Sequence, residues 1–240
     1  MFTKLLTALL LAHLISDFAL QTDKSCKKKL IYKICSIELY IHSAIVTILS
    51  LIAIWDRSLY AAAIFLGLSH LIIDIFKSYC KKDNLYSFVI DQALHIVIII
   101  LCAQVCIYKY EWVAPEWYST DILKCLTYAT AFILSWKPAN LIIKHILSQN
   151  SINIKRSDIT GQTLNEEFRA GALIGTIERW LIIIFILLGS YEAVGFLLAA
   201  KSIIRFKETD TSKTEYVLTG TLLSVFIAVI SAIICKALLV

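Results

Sequence analysis

Long runs of apolar residues, separated by short polar stretches, divide this chain into regular segments. A helix that crosses a bilayer needs roughly 17–25 predominantly apolar residues, and the sequence contains eight runs of about this kind, the first and seventh of them short. They cover residues 4–20, 36–55, 59–78, 87–108, 121–144, 170–189, 190–204 and 215–238. The pattern therefore predicts an all-α fold, a polytopic transmembrane bundle of about eight helices. Lys137-Pro138 interrupts the fifth run.

The overall composition agrees with this reading. The chain is 59% hydrophobic and only 17% charged, more apolar than a soluble domain. Lys4 and the apolar run after it resemble a secretory signal, but a signal has no use for the His13 and Asp17 within that run, so we expect the first helix to be retained. The seven cysteines contain no C-x-x-C pair and lie mostly in or beside predicted helices, so no disulfide framework is expected.

Basic residues concentrate in alternate loops. The even-numbered loops carry only Arg57 and Lys109. The odd-numbered loops carry Lys24, Lys27, Lys28, Lys29 and Lys33, then Lys77, Lys81 and Lys82, then Lys155, Arg156 and Arg169, and finally Lys201, Arg205, Lys207 and Lys213. Because loops rich in Lys and Arg stay in the cytoplasm, we expect odd loops inside a bacterial inner membrane and both termini outside. These lysines suit membrane lipids, and no direct nucleic-acid binding is expected.

One polar pattern occurs twice within the first four runs. Each copy is H-x-x-x-D, followed by an acidic residue four positions before a second histidine. The first copy consists of His13, Asp17, Glu38 and His42, and the second of His70, Asp74, Asp91 and His95. Residues four apart on a helix share one face, with Cβ atoms roughly 5–6 Å apart. Each pair can therefore direct two polar side chains to one point.

The predicted topology places all eight residues at a similar depth. The carboxylates lie near the cytoplasmic ends of their helices and the histidines one turn deeper, so the two helical hairpins form parallel repeats around one site. Ionisable groups are costly in a membrane and normally face a bundle interior. We therefore divide the chain into a ligand-rich half, residues 1–109, and a second half, residues 110–240, within one integral membrane unit.

Mixed histidine and carboxylate ligands suit zinc, manganese or iron. Eight donors exceed the needs of one tetrahedral ion, so we expect two ions, as in carboxylate bundles with two metals. Two other interpretations stay open. Each histidine can simply be a core residue satisfied by its neighbouring carboxylate, and a chain of such groups can relay protons.

The second half carries a different polar set. Glu178 and Arg179 lie about two turns into an apolar run, too deep for the side chains to reach the interface. With Lys201 and Arg205, Arg179 can bind a phosphate beside the metals. Alternatively, Arg179 pairs with Glu215, or Glu178 pairs with Lys201, to join helices.

Several stretches resemble a family of small bacterial multi-pass membrane proteins known as domain of unknown function 3307. The matching stretches begin with His13-Leu-Ile-Ser-Asp17-Phe-Ala-Leu-Gln21 and His70-Leu-Ile-Ile-Asp74, and continue with Asp91-Gln92-Ala-Leu-His95, Gly175-Thr-Ile-Glu178-Arg179 and Ala199-Ala-Lys201-Ser202-Ile-Ile-Arg205-Phe206. The resemblance implies a membrane protein but carries no activity. The H-x-x-x-D element is also similar to that of bacterial inner-membrane proteins named as metal-dependent hydrolases, over the first half only.

The sequence favours a metal-dependent hydrolase with a cytoplasm-facing dinuclear site, acting on a phosphoester or a lipid-linked substrate. In this scheme the four histidines and Asp17, Asp74 and Asp91 are metal ligands. Glu38 is a ligand or general base, and Arg179, Lys201 and Arg205 are electrostatic stabilisers. The alternatives are a transporter or channel for metal ions or protons, a di-iron redox enzyme, and a non-catalytic membrane effector.

Overall fold

The computed structural model describes residues 1–80, 84–116, 118–149, 163–205 and 211–239, without the side chains of residues 163–170, 204–205 and 211–216. The described chain is helical, which confirms the all-α prediction. It divides into two compact units, Met1–Ile133 and Leu134–Val240. The division predicted from the sequence, at residues 109 and 110, follows the polar pattern instead.

The first unit is built from one short and several long helices. Their bounds are α1 Phe2–Leu14, α2 Asp23–Tyr32, α3 Ile37–Ile54, α4 Tyr60–Tyr79, α5 Leu85–Tyr108 and α6 Thr120–Leu134. A π-helical segment, Ile15–Leu20, continues α1. The apolar pattern does not predict helix α2, because residues 21–35 are too polar for a membrane span.

Local signals in the sequence set the ends of these helices. The hydroxyl of Thr22 accepts a hydrogen bond from the backbone N–H of Ser25 and caps α2, and the side chain of Asn84 caps α5 in the same way. Such N-caps satisfy backbone donors that have no partner within the helix. At the other end of α3, Trp55 adopts a left-handed conformation with φ of 47° and turns the chain toward α4.

Four long helices form a closed ring in the first unit. Helix α1 packs against α3 and α5, and α4 also packs against α3 and α5. Small and branched apolar side chains fill the ring's interior, among them Leu5, Leu9, Ala63, Leu66 and Ala103. The polar residues of the repeated pattern lie at one end of this apolar core.

The outer faces of the helices are apolar as well. Ile48, Phe65, Leu68 and Leu101 are each at least half exposed, as expected for side chains that face lipid. Five helical segments in the described residues are long and apolar enough to cross a membrane, namely Phe2–Leu20, Ile37–Ile54, Arg57–Tyr79, Leu85–Tyr108 and Val217–Leu239. This arrangement is compatible with a multi-pass membrane protein.

The second unit contains the remaining described helices. They are α7 Lys137–Gln149, α8 Thr163–Leu187, α9 Tyr191–Arg205 and α10 Thr211–Leu239. Helix α8 packs against α7, α9 and α10, and α10 also packs against α7. The predicted single span over residues 121–144 is wrong, because α6 ends at Leu134 and α7 begins at Lys137. Pro138 fits the first turn of α7, where proline lacks no helical hydrogen bond.

Candidate metal centre

Seven of the eight polar residues of the repeated pattern converge in the first unit. They are His13, Asp17, His42, His70, Asp74, Asp91 and His95, and they come from α1 with its π-helical end and from α3, α4 and α5. The four histidines are buried, each 3–5% exposed. The centre therefore lies inside the ring of helices rather than on its surface.

The tightest part of the centre surrounds Oδ1 of Asp17. This oxygen lies 3.3 Å from Nε2 of His42, 3.4 Å from Nε2 of His70 and 3.6 Å from Nδ1 of His13. The two Nε2 atoms of His42 and His70 are 2.9 Å apart. We call this set of one carboxylate and three imidazoles the first subsite.

The π-helical segment positions Asp17 for these contacts. A π-helix is wider than an α-helix and often occurs at functional sites. Here it begins directly after Leu14 and includes Ser16, whose hydroxyl donates a hydrogen bond to the backbone oxygen of His13 and lies 3.0 Å from Oδ1 of Asp17. Ser16 is fully buried, and its hydroxyl has one hydrogen to donate to either of these two oxygens.

Asp74, Asp91 and His95 form a second group, which we call the second subsite. Nε2 of His95 lies 3.7 Å from Oδ1 of Asp91 and 3.9 Å from Oδ1 of Asp74. The rings of His70 and His95 stack with their centroids 4.0 Å apart, which places the two subsites side by side. Both subsites therefore open into one cluster of polar atoms.

Three buried donor or acceptor atoms in the cluster have no hydrogen-bond partner within the described part of the chain. They are Nδ1 of His13, Oδ1 of Asp91 and Nε2 of His95. Leaving such a group unsatisfied costs about 1–3 kcal/mol. The described protein alone thus leaves polar atoms of both subsites unsatisfied.

The donor atoms are close enough to hold a metal ion. Three sets have ligand atoms that all lie within 4.8 Å of one another, namely His13 with Asp17 and His70, His42 with His70 and Asp74, and Asp74 with Asp91 and His95. The cluster therefore has the composition and spacing of a metal site. Its assignment to zinc, manganese or iron, and to two ions, stays a prediction.

Glu38 is the exception within the repeated pattern. Its carboxylate lies 2.5 Å from Nζ of Lys28 and accepts a second hydrogen bond from the hydroxyl of Ser36. The hydrogen bond that Lys28 donates to Glu38 raises the pKa of the Lys28 ammonium group. Glu38 belongs to none of the three metal-binding sets, because the helix α2, absent from the sequence prediction, supplies its partner.

Two lysines and one glutamine contact the cluster, and sequence reasoning did not assign them to it. Nζ of Lys29 lies 2.6 Å from Oδ2 of Asp74, and Nζ of Lys77 lies 2.5 Å from Oδ2 of Asp91. The side-chain amide of Gln92 contacts Nε2 of His13 and Oδ2 of Asp91. The sequence pattern uses Lys29 and Lys77 only to predict topology, although Lys77 follows Asp74 by three positions on the same helix.

A cavity adjoins the histidines on the side away from the carboxylates. Its walls are Leu9, Val46, Ser50, Leu66, Ser69, Ile98 and Ile99, together with His13, His70 and His95. On α1, Leu9 lies one turn before His13, whereas Asp17 lies one turn after it. The histidines therefore separate the carboxylates from a space whose walls are mostly apolar.

In the second unit, Arg179 is 1% exposed and donates hydrogen bonds to neutral oxygens of four residues. The acceptors are the backbone oxygen of Ser135 and the side chains of Asn140, Thr176 and Ser224. Its neighbour Glu178 forms an ion pair with Lys201. The side chains of Arg205 and Glu215 lie outside the described residues, so their predicted contacts are not described.

Residues 5–121 match the model of a protein family described as Protein of unknown function (DUF3307). The chain is similar to that family over this range, which is just under half of its length. The matched range contains every residue of the repeated pattern and ends before Gly175, so the resemblance over the second half stays a prediction, as does the similarity to metal-dependent hydrolases. Searches of curated proteins and of solved structures find no significant match.

Proposed function

We propose that the cluster binds divalent transition metal ions and that the protein is a membrane-embedded, metal-dependent hydrolase of a phosphoester or lipid-linked substrate. The spacing within the first subsite carries this proposal. Zinc binds nitrogen and oxygen ligands at about 2.0–2.2 Å in a tetrahedron, so its ligand atoms stand about 3.3–3.6 Å apart. Oδ1 of Asp17 and the two Nε2 atoms of His42 and His70 are separated by 2.9, 3.3 and 3.4 Å.

His13 supplies a fourth donor for the same ion. Its Nδ1 atom lies 3.6 Å from Oδ1 of Asp17 and has no hydrogen-bond partner in the described chain. A cation in the first subsite would satisfy this atom, and it would also separate the two close nitrogens of His42 and His70. The second subsite offers Asp74, Asp91 and His95 to a second ion.

The surroundings favour hydrolysis over transport. A pair of ions can activate water and stabilise the charge that develops on an attacked phosphate. An ion path across the membrane would need polar walls on both sides of the cluster. In the adjoining cavity, however, Ser50 and Ser69 are the polar wall residues besides the three histidines, and the others are apolar.

The basic residues near the cluster favour a cytoplasmic opening. Helix α2 carries Lys24, Lys27, Lys28 and Lys29 within ten residues, and basic segments beside membrane helices stay in the cytoplasm. We therefore infer a site that faces the cytoplasm in a bacterial inner membrane, with both termini outside. The substrate would reach the cluster from the membrane surface.

Metal analysis of the purified, full-length protein tests the proposal. Protein expressed in metal-replete medium should contain a divalent transition metal, and the double variant His70→Ala/Asp91→Ala should lose most of it. The matched control is His145→Ala, because His145 is the fifth histidine of the chain and lies on α7, in the second unit. Circular dichroism should show that all three proteins retain their helices.

Activity then separates the alternatives. Metal-loaded protein should hydrolyse a phosphoester or a lipid pyrophosphate, and the double variant should not. Metal uptake into vesicles without hydrolysis would favour transport, and oxygen consumption by an iron-loaded form would favour redox chemistry. Absence of metal from the parent protein would contradict both subsites.

A further inference from the structure

Besides their different numbers of histidines and carboxylates, the two subsites differ in the presence of lysine. Oδ1 of Asp17 has three histidine nitrogens around it. In the second subsite, by contrast, Asp74 is paired with Lys29 and Asp91 is paired with Lys77. Two positive charges of the protein therefore stand beside the carboxylates that would hold the second ion.

The ammonium groups of these lysines lie beside buried carboxylates, and burying them costs free energy. The side chain of Lys29 is only 9% exposed, and an ammonium group is strongly hydrated and expensive to bury without a partner. Lys77 is 37% exposed and lies nearer the rim. Burial raises the pKa of the Cys26 thiol on α2, and the positive charges of Lys29 and Lys77 act in the opposite direction.

The charges of the cluster are nearly balanced with both lysines in place. Asp17, Asp74 and Asp91 carry three negative charges, and the two ammonium groups leave one negative charge when the imidazoles are neutral. One divalent ion in the first subsite brings the sum to one positive charge. A second ion beside the same two ammonium groups would give an excess of positive charge, which a buried site does not tolerate unless an anion binds.

We infer that Lys29 and Lys77 occupy the second subsite in place of a second ion, and that when a second ion enters, their ammonium groups swing aside and bind the substrate's anionic group. This inference rests on the proposed metal function. It moves the anion-binding role from the second unit to the cluster itself. Lysine suits both tasks, since it is a point charge on a flexible stem of four carbons.

The residues first predicted to bind the anion are engaged elsewhere. Arg179 donates to Ser135, Asn140, Thr176 and Ser224, and Lys201 is paired with Glu178. Recruiting either would break contacts within the second unit. Lys29 and Lys77, in contrast, lose carboxylate partners that an incoming metal takes over, and Lys77 also leaves the face of the Phe88 ring, 6.0 Å from its Nζ.

Metal and phosphate titrations of the full-length protein test this inference. The variants are Lys29→Met and Lys77→Met, which keep an unbranched stem one atom shorter than that of lysine and remove the charge. In both variants the first zinc or manganese ion should bind as it does in the parent. The second ion should bind roughly tenfold to hundredfold tighter than in the parent, because one charged hydrogen bond from lysine no longer competes for its carboxylate ligands. Inorganic phosphate should bind the loaded variants more weakly by a similar factor.

Lys28→Met is the matched control, because Lys28 lies on the same helix and is paired with Glu38, outside the metal-binding sets. Lys28→Met should leave both titrations unchanged. A separate variant, Lys29→Arg, should bind phosphate more tightly than Lys29→Met does, because it keeps the positive charge. Suppose that the parent binds its first ion, but that the second step and the phosphate affinity are the same in the parent and in both Met variants. That result would overturn this inference alone. A parent that binds no ion would overturn the metal function and this inference together.

Discussion

The Nε2 atoms of His42 and His70 lie 2.9 Å apart across the interface between α3 and α4. Two neutral imidazoles at this distance require one nitrogen to donate its hydrogen while the other accepts it. Both nitrogens also face the same carboxylate oxygen of Asp17. The three groups therefore act as one unit, and removing one member changes the environment of the other two.

This coupling gives a prediction about metal affinity. His42→Ala and His70→Ala should each weaken binding of the first ion by at least about tenfold. Losing a residue that only supports a ligand already costs about 10- to 100-fold in affinity, and these two residues are proposed as ligands themselves. The double variant should be little worse than either single variant, because residues of one network are not additive. A chelator competition titration measures all three affinities. Strictly additive losses would contradict the shared ion.

A second prediction separates Asp17 from Glu38, the two acidic residues in the first copy of the sequence pattern. Asp17→Asn should remove the central charged ligand of the first subsite and lower metal affinity at least tenfold, since even supporting residues contribute that much. Glu38→Gln should leave metal affinity unchanged, because its carboxylate is paired with Lys28 and Ser36. Equal losses in the two variants would place Glu38 among the ligands.

A third prediction concerns the close contact that aligns α3 with α4. A Cβ atom at Gly67 would lie 1.8 Å from Oγ1 of Thr47 and 3.2 Å from the backbone oxygen of Ser43. Gly67→Ala should therefore lower the free energy of unfolding by about 1–3 kcal/mol, the usual cost of overpacking. Because Gly67 precedes His70 by one turn, metal affinity should fall as well.

Thr47→Ala offers a partial rescue of that variant, because it removes the oxygen that the new Cβ atom meets first. The control is Gly195→Ala on α9, where a Cβ atom meets nothing within 4 Å. That change should be neutral or raise stability by roughly 0.5–1 kcal/mol, since alanine is the better helix former. Thermal unfolding in detergent measures the series. Equal effects at positions 67 and 195 would contradict the packing argument.

A fourth prediction addresses orientation in the membrane. Cysteines placed at Lys28 and Glu116 in a cysteine-free background should be labelled from opposite sides, with position 28 in the cytoplasm. The reason is the excess of lysine around position 28. Lys81 and Lys207 belong to the same predicted side but lie outside the described residues. Labelling of positions 28 and 116 from one side would overturn the topology.

The sequence predicted the parts of the site that depend on helix geometry. Spacing of four placed His70 with Asp74 and Asp91 with His95 on common faces, and their closest polar atoms lie 4.0 and 3.7 Å apart. The apolar runs likewise marked α3, α4 and α5 to within a few residues. These features are local, so the periodicity of a single helix is enough to find them.

Other parts of the site depend on contacts between segments that the pattern does not record. The roles of Lys29 and Glu38 both depend on α2, a short polar helix. It places Lys28 beside Glu38 on α3 and Lys29 beside Asp74 on α4. No apolar periodicity marks such a helix. The π-helical end of α1 was not predicted either, because the apolar pattern of the sequence does not distinguish a π-helix from an α-helix.

The last prediction concerns Arg179, which sequence reasoning assigned to anion binding. A buried guanidinium with four neutral acceptors from α8, α10 and the start of α7 connects the helices of the second unit. Gly175 contributes by leaving room for it, since a Cβ atom there would lie 3.2 Å from Nη1 of Arg179. The arginine therefore has the surroundings of a packing residue.

Arg179→Ala should accordingly lower the free energy of unfolding by more than about 3 kcal/mol, because it leaves several buried oxygens without donors. Lys144→Ala, an exposed basic position on α7, should change stability by less than about 0.5 kcal/mol. Thermal unfolding of the second unit, followed by tryptophan fluorescence, measures both. If Arg179→Ala instead stays as stable as the parent and loses affinity for phosphate, the arginine binds the anion, and Lys29 and Lys77 lose that role.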